Sequence, residues 1–491
     1  MHERFSKRLL QGCRHERGAT LILLTFALSL VVLPLMGIAI DGTICYLVRA
    51  KLSQAVDAAA LGGARSLSTG LDLASQSSSA TATALNYLNA NFPSGLMGAT
   101  LSGSPTINIT QNSTMSRTVL VQASAVVPLT FLRVAGFRTA TVSETAQSTR
   151  RDVNLMLVLD RSSSMQTAGV CPTMIANAQA FVNNFADGRD ILGLITFTEG
   201  SSLDFPPATN FKSGTPTLTS ILGNLKCSGN TSSAQALWQA YGQIQAVNQP
   251  GRLNAIVFFT DGRPDGITTS TALPFPVKTL TDTRYIYPSP YSQVSSPPSS
   301  CPKGTVLAGV IAQWNGDTDP GTTAGVFSPV NSGISDTSEN SISAPGCTFT
   351  GKSGQTAMTS DVAYIPAQDA YGNATTGYKT STLFPAGSPY AGQIRPDIPT
   401  SITAASTNAA DNAASRIRAD TTYNIVIYSL GLGGTVTEPL DQDFLRRVAN
   451  DPQSSSYDSS RPAGRYYYAA DITQLSAAYQ AIASQILRLS Q

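Results

Sequence analysis

Short apolar runs, separated by stretches of helical periodicity, constrain what this chain folds into more than any other feature of its sequence. Residues 153–160 (VNLMLVLD), 191–197 (ILGLITF), 255–259 (AIVFF) and 424–430 (NIVIYSL) are each of strand length. They carry little apolar-polar alternation, so both faces of each strand are expected to be buried, the condition of a strand inside a parallel sheet. Between them the spacing predicts helices. One covers 172–187, with Ile175, Ala178, Phe181, Val182 and Phe185 on one side; others cover 232–247 and 403–419, and a fourth contains Phe444, Leu445 and Val448. Asp471 caps a last helix, with Gln474 three residues on and Leu475, Tyr479, Ile482, Ile486 and Leu489 along one face. Strands alternating with helices mean crossover connections, hence an α/β fold with a doubly wound, mainly parallel sheet over 151–491.

The chain has 491 residues, which at roughly 150 per domain implies about three units rather than one. Between 268 and 398 the alternating pattern gives way to Ser, Thr, Pro, Gly and Tyr. That stretch is too long for an ordinary loop and reads as an insertion, either partly irregular and pinned by cysteines or flexible and of low complexity. Charged residues make up only 13% of the chain, and 32 basic against 30 acidic side chains leave a net charge of +2. No broad field exists to attract nucleic acid, and no nucleic-acid partner is expected. The only histidines are His2 and His15. A Ser-His-Asp or Cys-His site, or a histidine-ligated zinc, is therefore excluded from the rest of the chain by inventory.

The N-terminal segment carries Arg4, Lys7, Arg8, Arg14 and Arg17 against Glu3 and Glu16, and no charged residue then appears before Asp41. At about 1.5 Å per residue the stretch 18–40 is long enough for the roughly 30 Å hydrocarbon core of a bilayer. A buried core helix or a cleaved signal peptide would also be apolar. The run exceeds the roughly 7–15 residues usual for a signal, however, and MGIAIDG (36–42) fits a small-x-small cleavage site poorly. A retained transmembrane helix over 19–40 is expected, behind a cytoplasmic tail at 1–18. Basic residues before the span outnumber Arg49 and Lys51 after it, which places the N-terminus inside and everything beyond Asp41 outside. Ile44 directly before Cys45 argues against lipidation there. Cys171, Cys227, Cys301 and Cys347 then lie in an oxidising compartment with three possible pairings, of which 171–227 with 301–347 is the one expected.

Over 41–150 the spacing predicts a stalk helix continuing to about Leu61, with apolar positions 44, 47, 48, 52, 55, 56, 59 and 60, and a second helix at 79–91. Residues 106–110, 117–127 and 139–147 read as strands. This small α+β module has a pilin-like outline, or else serves as a spacer.

Two loops leaving the buried strands carry candidate ligands. The first reads Asp160-Arg-Ser162-Ser-Ser164, and the second reads Thr260-Asp261-Gly262; Gly229-Asn-Thr231 stands between them at a helix start. In an open parallel sheet such loops converge at the carboxyl edge of the strands. Two carboxylates and three hydroxyls there would give all-oxygen ligation of low charge, suited to Mg²⁺, with Mn²⁺ or Ca²⁺ as alternatives. Placement and order together resemble the metal-ion-dependent adhesion site of von Willebrand factor A domains. The resemblance implies that Asp160, Ser162, Ser164, Thr231 and Asp261 surround a divalent cation and that a carboxylate from a protein partner completes its shell. Arg161 is a departure, a bulky cation inside the first loop. No positioned base or nucleophile accompanies the site, so a metal-dependent hydrolase is disfavoured and no enzymatic activity is expected.

A second resemblance covers more chain. Residues 17–64, from Arg17-Gly18 through the apolar stretch and Asp41 to Asp57-Ala-Ala-Ala-Leu-Gly-Gly-Ala64, look like the N-terminus of TadE/TadG-like Flp pilus assembly proteins. With a von Willebrand factor A-like domain ending in YYYAADITQLSAAYQAIASQI (466–486), the order along the chain is similar to the TadG-like members. The resemblance implies a single-pass protein of the bacterial inner membrane, its bulk periplasmic, that helps assemble or anchor Flp (tight-adherence) pili by docking components of that machinery. A surface-displayed, metal-dependent adhesin is the alternative.

Overall fold

The computed structural model describes residues 21–26, 28–113, 115–198, 200–270, 308–313, 322–327, 343–344, 347–348, 364–388, 390–396, 398–433 and 440–490. The chain divides into two compact units, one comprising Met1–Thr69 and Ala74–Arg150, the other built on Arg151–Gln491.

The first unit has a helical pair on an antiparallel sheet. Its long helix α1 (Leu33–Ser66) follows a π-helical turn at Leu28–Val32, and α2 spans Leu73–Asn91. Strands β1 (Thr100–Leu101), β2 (Thr106–Ser113), β3 (Ser116–Pro128) and β4 (Thr139–Arg151) form the sheet, with β1, β2 and β4 all paired to β3. Helical spacing puts Val48, Leu52, Ala55, Val56 and Ala59 of α1 on one buried stripe, and strand spacing does the same for Val119, Val121, Ala123, Ala125 and Val127 of β3.

The expected membrane anchor is corrected here. Among the described residues no helix is long and apolar enough to cross a membrane, so neither the 19–40 span nor a single-pass inner-membrane placement with a periplasmic bulk is supported. Residues 21–26 are helical, a π-helical turn intervenes, and α1 then carries the end of the apolar stretch together with Asp41, Arg49, Lys51 and Asp57 in one helix. Asp41 is a buried anchor within the unit. Its carboxylate accepts the N–H groups of Thr130, Phe131 and Leu132 at 3.0, 2.9 and 2.7 Å.

The second unit is the expected α/β structure. In chain order it runs β5 (Val153–Asp160), α3 (Ser163–Thr167), α4 (Cys171–Val182), β6 (Ile191–Phe197), β7 (Ser201–Ala208), α5 (Leu218–Gly223), α6 (Ser233–Val247) and β8 (Leu253–Thr260). Next come β9 (Gly266–Ser270), β10 (Ala308–Gln313), β11 (Thr322–Phe327) and a short hairpin of β12 (Ser343–Ala344) and β13 (Cys347–Thr348). The unit closes with α7 (Pro399–Ala419), β14 (Val426–Leu432), α8 (Gln442–Ala449), β15 (Tyr466–Ala469) and α9 (Leu475–Leu489). The main sheet has the order β15-β14-β8-β5-β6-β7, and every pairing is parallel except that of β6 with β7.

The unbroken apolar runs have the reason anticipated. Leu155, Leu157 and Leu159 face a core shared with Met174, Ala178 and Phe181 of α4 and with Tyr479 and Ile482 of α9. Met156 and Val158, from the same strand, face the opposite core with Leu237 and Ala240 of α6 and Ala405 and Ala409 of α7. Two strands carry no comparable signal. β7 reads SSLDFPPA, and Pro206 and Pro207 are tolerated because the strand lies at the sheet edge, while β15 is an edge of four residues.

The described parts of 268–398 hold structure beyond an irregular insertion. β9, β10 and β11 form an antiparallel sheet, and Ile365 and Ile394 bridge each other and enter the core against α7. Cys171 and Cys227 form a disulfide, as expected. The second expected pairing involves Cys301, which lies outside the described residues.

Candidate metal centre

The parallel register determines which residues meet at the carboxyl edge. Leu159 of β5 pairs with Phe259 of β8, so the residues that follow, Asp160 and Thr260, leave the sheet at the same level, and Asp261 begins the next loop. Asp160 itself pairs with Phe197 of β6. A middle loop, 226–232, arrives at the same edge before α6.

Asp160 is wholly buried. One carboxylate oxygen accepts the Ser162 N–H at 2.8 Å, and the other accepts the Thr260 hydroxyl at 2.5 Å. Loss of hydration pushes its carboxyl up to about 6, although the hydrogen bonds from Thr260 and Ser162 and the charge of Arg161 act in the opposite direction. The Ser162 and Ser164 hydroxyls are 2.9 Å apart, and Ser164 Oγ donates to Asp261 Oδ1 at 2.8 Å. Asp160, Ser162, Ser164 and Asp261 therefore form one continuous hydrogen-bonded set drawn from two loops.

Thr231 is brought to this set through its main chain. Its N–H donates to Asp265 Oδ1 at 2.6 Å, while its carbonyl accepts the N–H groups of Asp265 and Gly266 at 3.0 and 3.3 Å. Two residues earlier, the Gly229 carbonyl accepts both the N–H and the hydroxyl of Ser163, at 2.8 and 2.7 Å. Gly229 has φ +90°, a backbone region open to glycine and strained for other residues. The middle loop is thus tied on one side to the loop of Asp160 and on the other to the loop of Asp261.

Arg161 does not turn into the cluster. It is fully buried, its Nε donating to Thr196 Oγ1 at 3.2 Å and a terminal nitrogen to the Lys226 carbonyl at 3.3 Å, and its charge acts on Asp204 of β7. The Thr196 and Ser202 hydroxyls donate to Asp204 at 2.6 and 2.8 Å. The bulky cation of the first loop is therefore directed toward β6 and β7.

Thr260 and Asp265 contact the candidate ligands Asp160 and Thr231 and were not among the residues expected from the sequence. Thr260 carried a signal, a hydroxyl at the end of a buried strand directly before Asp261. Asp265 carried none, since nothing in its own neighbourhood points to Thr231.

The donor set fits a hard divalent cation. Every side chain offered is an oxygen donor, two carboxylates and hydroxyls, and the loops that carry them are already joined. Among the described residues no group of three or more His, Cys, Asp or Glu side chains is placed to hold a metal. A softer metal would lack its preferred ligands here.

Residues 155–263 match the family model of the von Willebrand factor type A domain. The match begins in β5 and ends beyond Asp261, so it includes all five candidate ligands, and the chain carries a von Willebrand factor A domain with a mostly parallel sheet. No curated protein matches the chain. Among solved structures, the PilB minor pilin from Streptococcus sanguinis is 13% identical over 80% of this chain and 79% of its own, with a TM-score of 0.35. The vWF domain of the type V pili tip protein Mfa5 from Porphyromonas gingivalis is 17% identical over 70% of this chain and 97% of its own, also at 0.35. Proximal thread matrix protein 1 from the mussel byssus, in a form with a zinc-occupied MIDAS motif, is 10% identical over 68% and 47%, at 0.31.

Proposed function

We propose that this chain is a binding protein, not an enzyme, whose von Willebrand factor A domain docks a carboxylate of a protein partner through a divalent cation. The observation that carries the reading is the convergence of Asp160, Ser162, Ser164 and Asp261 in one hydrogen-bonded set, with Thr231 tied to it through Gly229 and Asp265. Asp160 and Asp261 would hold the ion with Ser162, Ser164 and Thr231, and Mg²⁺ is the cation that best suits so few charges. When bound, a cation held this way keeps Lewis acidity for one further oxygen ligand. The protein's own residues orient that exchange. Asp160 is fixed by Thr260 and Ser162, the Ser164 hydroxyl is held by Asp261, and that of Ser162 lies beside it.

The finer reading is a docking component of Flp (tight-adherence) pilus assembly. Its support is the resemblance of residues 17–64 to the N-terminus of TadE/TadG-like proteins, followed along the chain by a von Willebrand factor A domain that ends in 466–486, the order of the TadG-like members.

Titration calorimetry of Mg²⁺ and Mn²⁺ into the chelator-treated full chain tests the site, and Asp160→Ala should abolish the heat while circular dichroism remains that of wild type. Absence of binding to wild type at millimolar cation would refute the cation-docking reading. The finer reading is tested by piliation of a host whose only copy is Asp160→Ala. Normal pili there would exclude a cation-dependent assembly role, whereas loss of pili with retained protein would support it.

A further inference from the structure

A pocket of about 650 Å³ is lined by residues that follow the Asp160 loop, Gln166 to Ile175, and by residues at the start of the middle loop, Leu225 to Ser228. The Cys171–Cys227 disulfide, Ile175 and Leu225 contribute apolar lining, and Lys226 and Gln166 contribute polar groups. Cys171 and Ile175 pack against the core on one side yet remain only half-buried, so they offer apolar surface to the pocket. Lys226 has its carbonyl fixed by Arg161, while its side chain is exposed.

The pocket and the candidate metal centre share covalent and hydrogen-bonded scaffolding. Ser228, which lines the pocket, donates its N–H to the Arg161 carbonyl at 2.7 Å, and the next residue, Gly229, accepts the two hydrogen bonds from Ser163. Cys227 is bonded to Cys171 at the start of α4, the second helix after the Asp160 loop. The lining residues Gln166 and Ser228 stand two and three positions from the candidate ligands Ser164 and Thr231, so the pocket adjoins the candidate centre along both segments. The volume falls in the range of pockets that bury a small ligand, so it has room for a large apolar side chain together with its flanking residues.

We infer that the pocket reads the partner's sequence: the occupant is an acidic segment of a protein in which a large apolar side chain, seated against Ile175 and the disulfide, lies close to the cation-binding carboxylate. Charge complementarity selects an acidic segment. A cation held by Asp160 and Asp261 would have its charge offset by those carboxylates and keep only an open position for one further oxygen, whereas the exposed ammonium of Lys226 stands at the apolar recess, so a second Asp or Glu of the segment would pair with Lys226. The apolar anchor supplies the affinity and the charges supply register. This inference rests on the cation-docking reading above and adds to it the chemistry of the partner.

The probe is a phage-displayed library of random dodecapeptides selected on the immobilised full chain in Mg²⁺. The expected binders carry Asp or Glu at a fixed short spacing from Leu, Met, Phe or Trp, and chelator releases them. Their affinity should fall about tenfold or more for Ile175→Glu, the loss that accompanies removal of a central apolar anchor. Lys226→Glu, an exposed and structurally mild change, should weaken them by about threefold to tenfold and leave Mg²⁺ titration intact. If Ile175→Glu no longer binds Mg²⁺, its fold has been disturbed and Lys226→Glu decides the matter. Mg²⁺-dependent binders with no apolar preference and no response to either variant would overturn the pocket while sparing the cation reading. Binders indifferent to chelator would remove the cation and, with it, the inference, as would a selection that enriches nothing.

Discussion

Ser164 Oγ donates a 2.8 Å hydrogen bond to Asp261 Oδ1, joining residues 97 positions apart at the carboxyl edge of one sheet. The same hydroxyl lies 2.9 Å from that of Ser162. Both loops are thereby held in place by the candidate ligands themselves before any cation is present. Asp261 and Ser164 would both offer their oxygens to a cation held here.

Ser164→Ala should therefore weaken Mg²⁺ binding by about tenfold or more and also destabilise the cation-free protein by about 1–2 kcal/mol, because Asp261 Oδ1 loses a buried donor. Calorimetric titration and urea unfolding in chelator measure the two effects separately. Unchanged affinity with lowered stability would show that Ser164 is a loop tie and not a ligand.

Asp160→Asn separates charge from shape. The amide oxygen can still accept the Ser162 N–H, and its NH₂ can donate to Thr260 Oγ1, so the geometry of the loop survives. Because burial disfavours the charged carboxylate at this position, the variant in chelator should be as stable as wild type or more stable by roughly 1–2 kcal/mol near neutral pH. Mg²⁺ binding should nevertheless be lost. A clear fall in chelator-state melting temperature would contradict this account of the buried charge.

The disulfide ties the start of α4 to the loop that carries Thr231. Cys171→Ser combined with Cys227→Ser should lower stability by about 2–4 kcal/mol and weaken Mg²⁺ binding, since the loop that carries Thr231 loses its covalent tie to α4. Thermal unfolding and titration of the double variant measure both. Retained affinity would mean that the hydrogen bonds of Gly229 suffice to hold the loops together.

In the first unit the three backbone donors of Thr130, Phe131 and Leu132, that of Leu132 most strongly, hold the Asp41 carboxyl below its ordinary 3.8. A depressed carboxyl contributes stability above its unfolded value and loses it as pH falls through its folded one. Protection of the Phe131 and Leu132 amides in the full chain should thus persist from neutral pH down to about 4 and decline only below it. Asp41→Asn should lose much of that protection at pH 6. Hydrogen exchange at these two amides reads the effect, and equal protection in the two proteins would remove Asp41 from the role.

How much of this was legible in the sequence depended on whether the signal was local. The four apolar runs of the main sheet were readable because each strand is buried on both faces, and Asp160, Ser162, Ser164 and Asp261 were readable because they sit where those runs end. β7 was not, since an edge strand with Pro206 and Pro207 shows neither alternation nor an apolar run. The direction of Arg161 was equally hidden. Whether its guanidinium enters the cluster or turns to Thr196 depends on a polar group of β6 and β7 that no spacing announces. The apolar stretch before Asp41 misled for a related reason: hydropathy reports that residues are apolar, but not that Asp41 closes onto a loop some ninety residues away.

Asp265 gives the most discriminating test, because it lies outside the proposed ligand set and yet controls one member of it. Its carboxylate accepts the Thr231 N–H at 2.6 Å, its own N–H returns a 3.0 Å bond to the Thr231 carbonyl, and its carbonyl accepts the Ala312 N–H of β10 at 2.8 Å. Removing the carboxylate leaves the two main-chain bonds in place, so β10 and the loop keep their attachment while the Thr231 N–H loses its acceptor. Asp265→Ala should therefore lower Mg²⁺ affinity about 10–100-fold, the usual consequence of losing a group that orients a ligand. Asp265→Asn, which keeps an acceptor oxygen, should recover most of it. A direct ligand would behave differently, since the amide variant would lose affinity as severely as the alanine one. Titration of Mg²⁺ into both variants distinguishes the cases, and wild-type affinity in Asp265→Ala would show that Thr231 needs no such support.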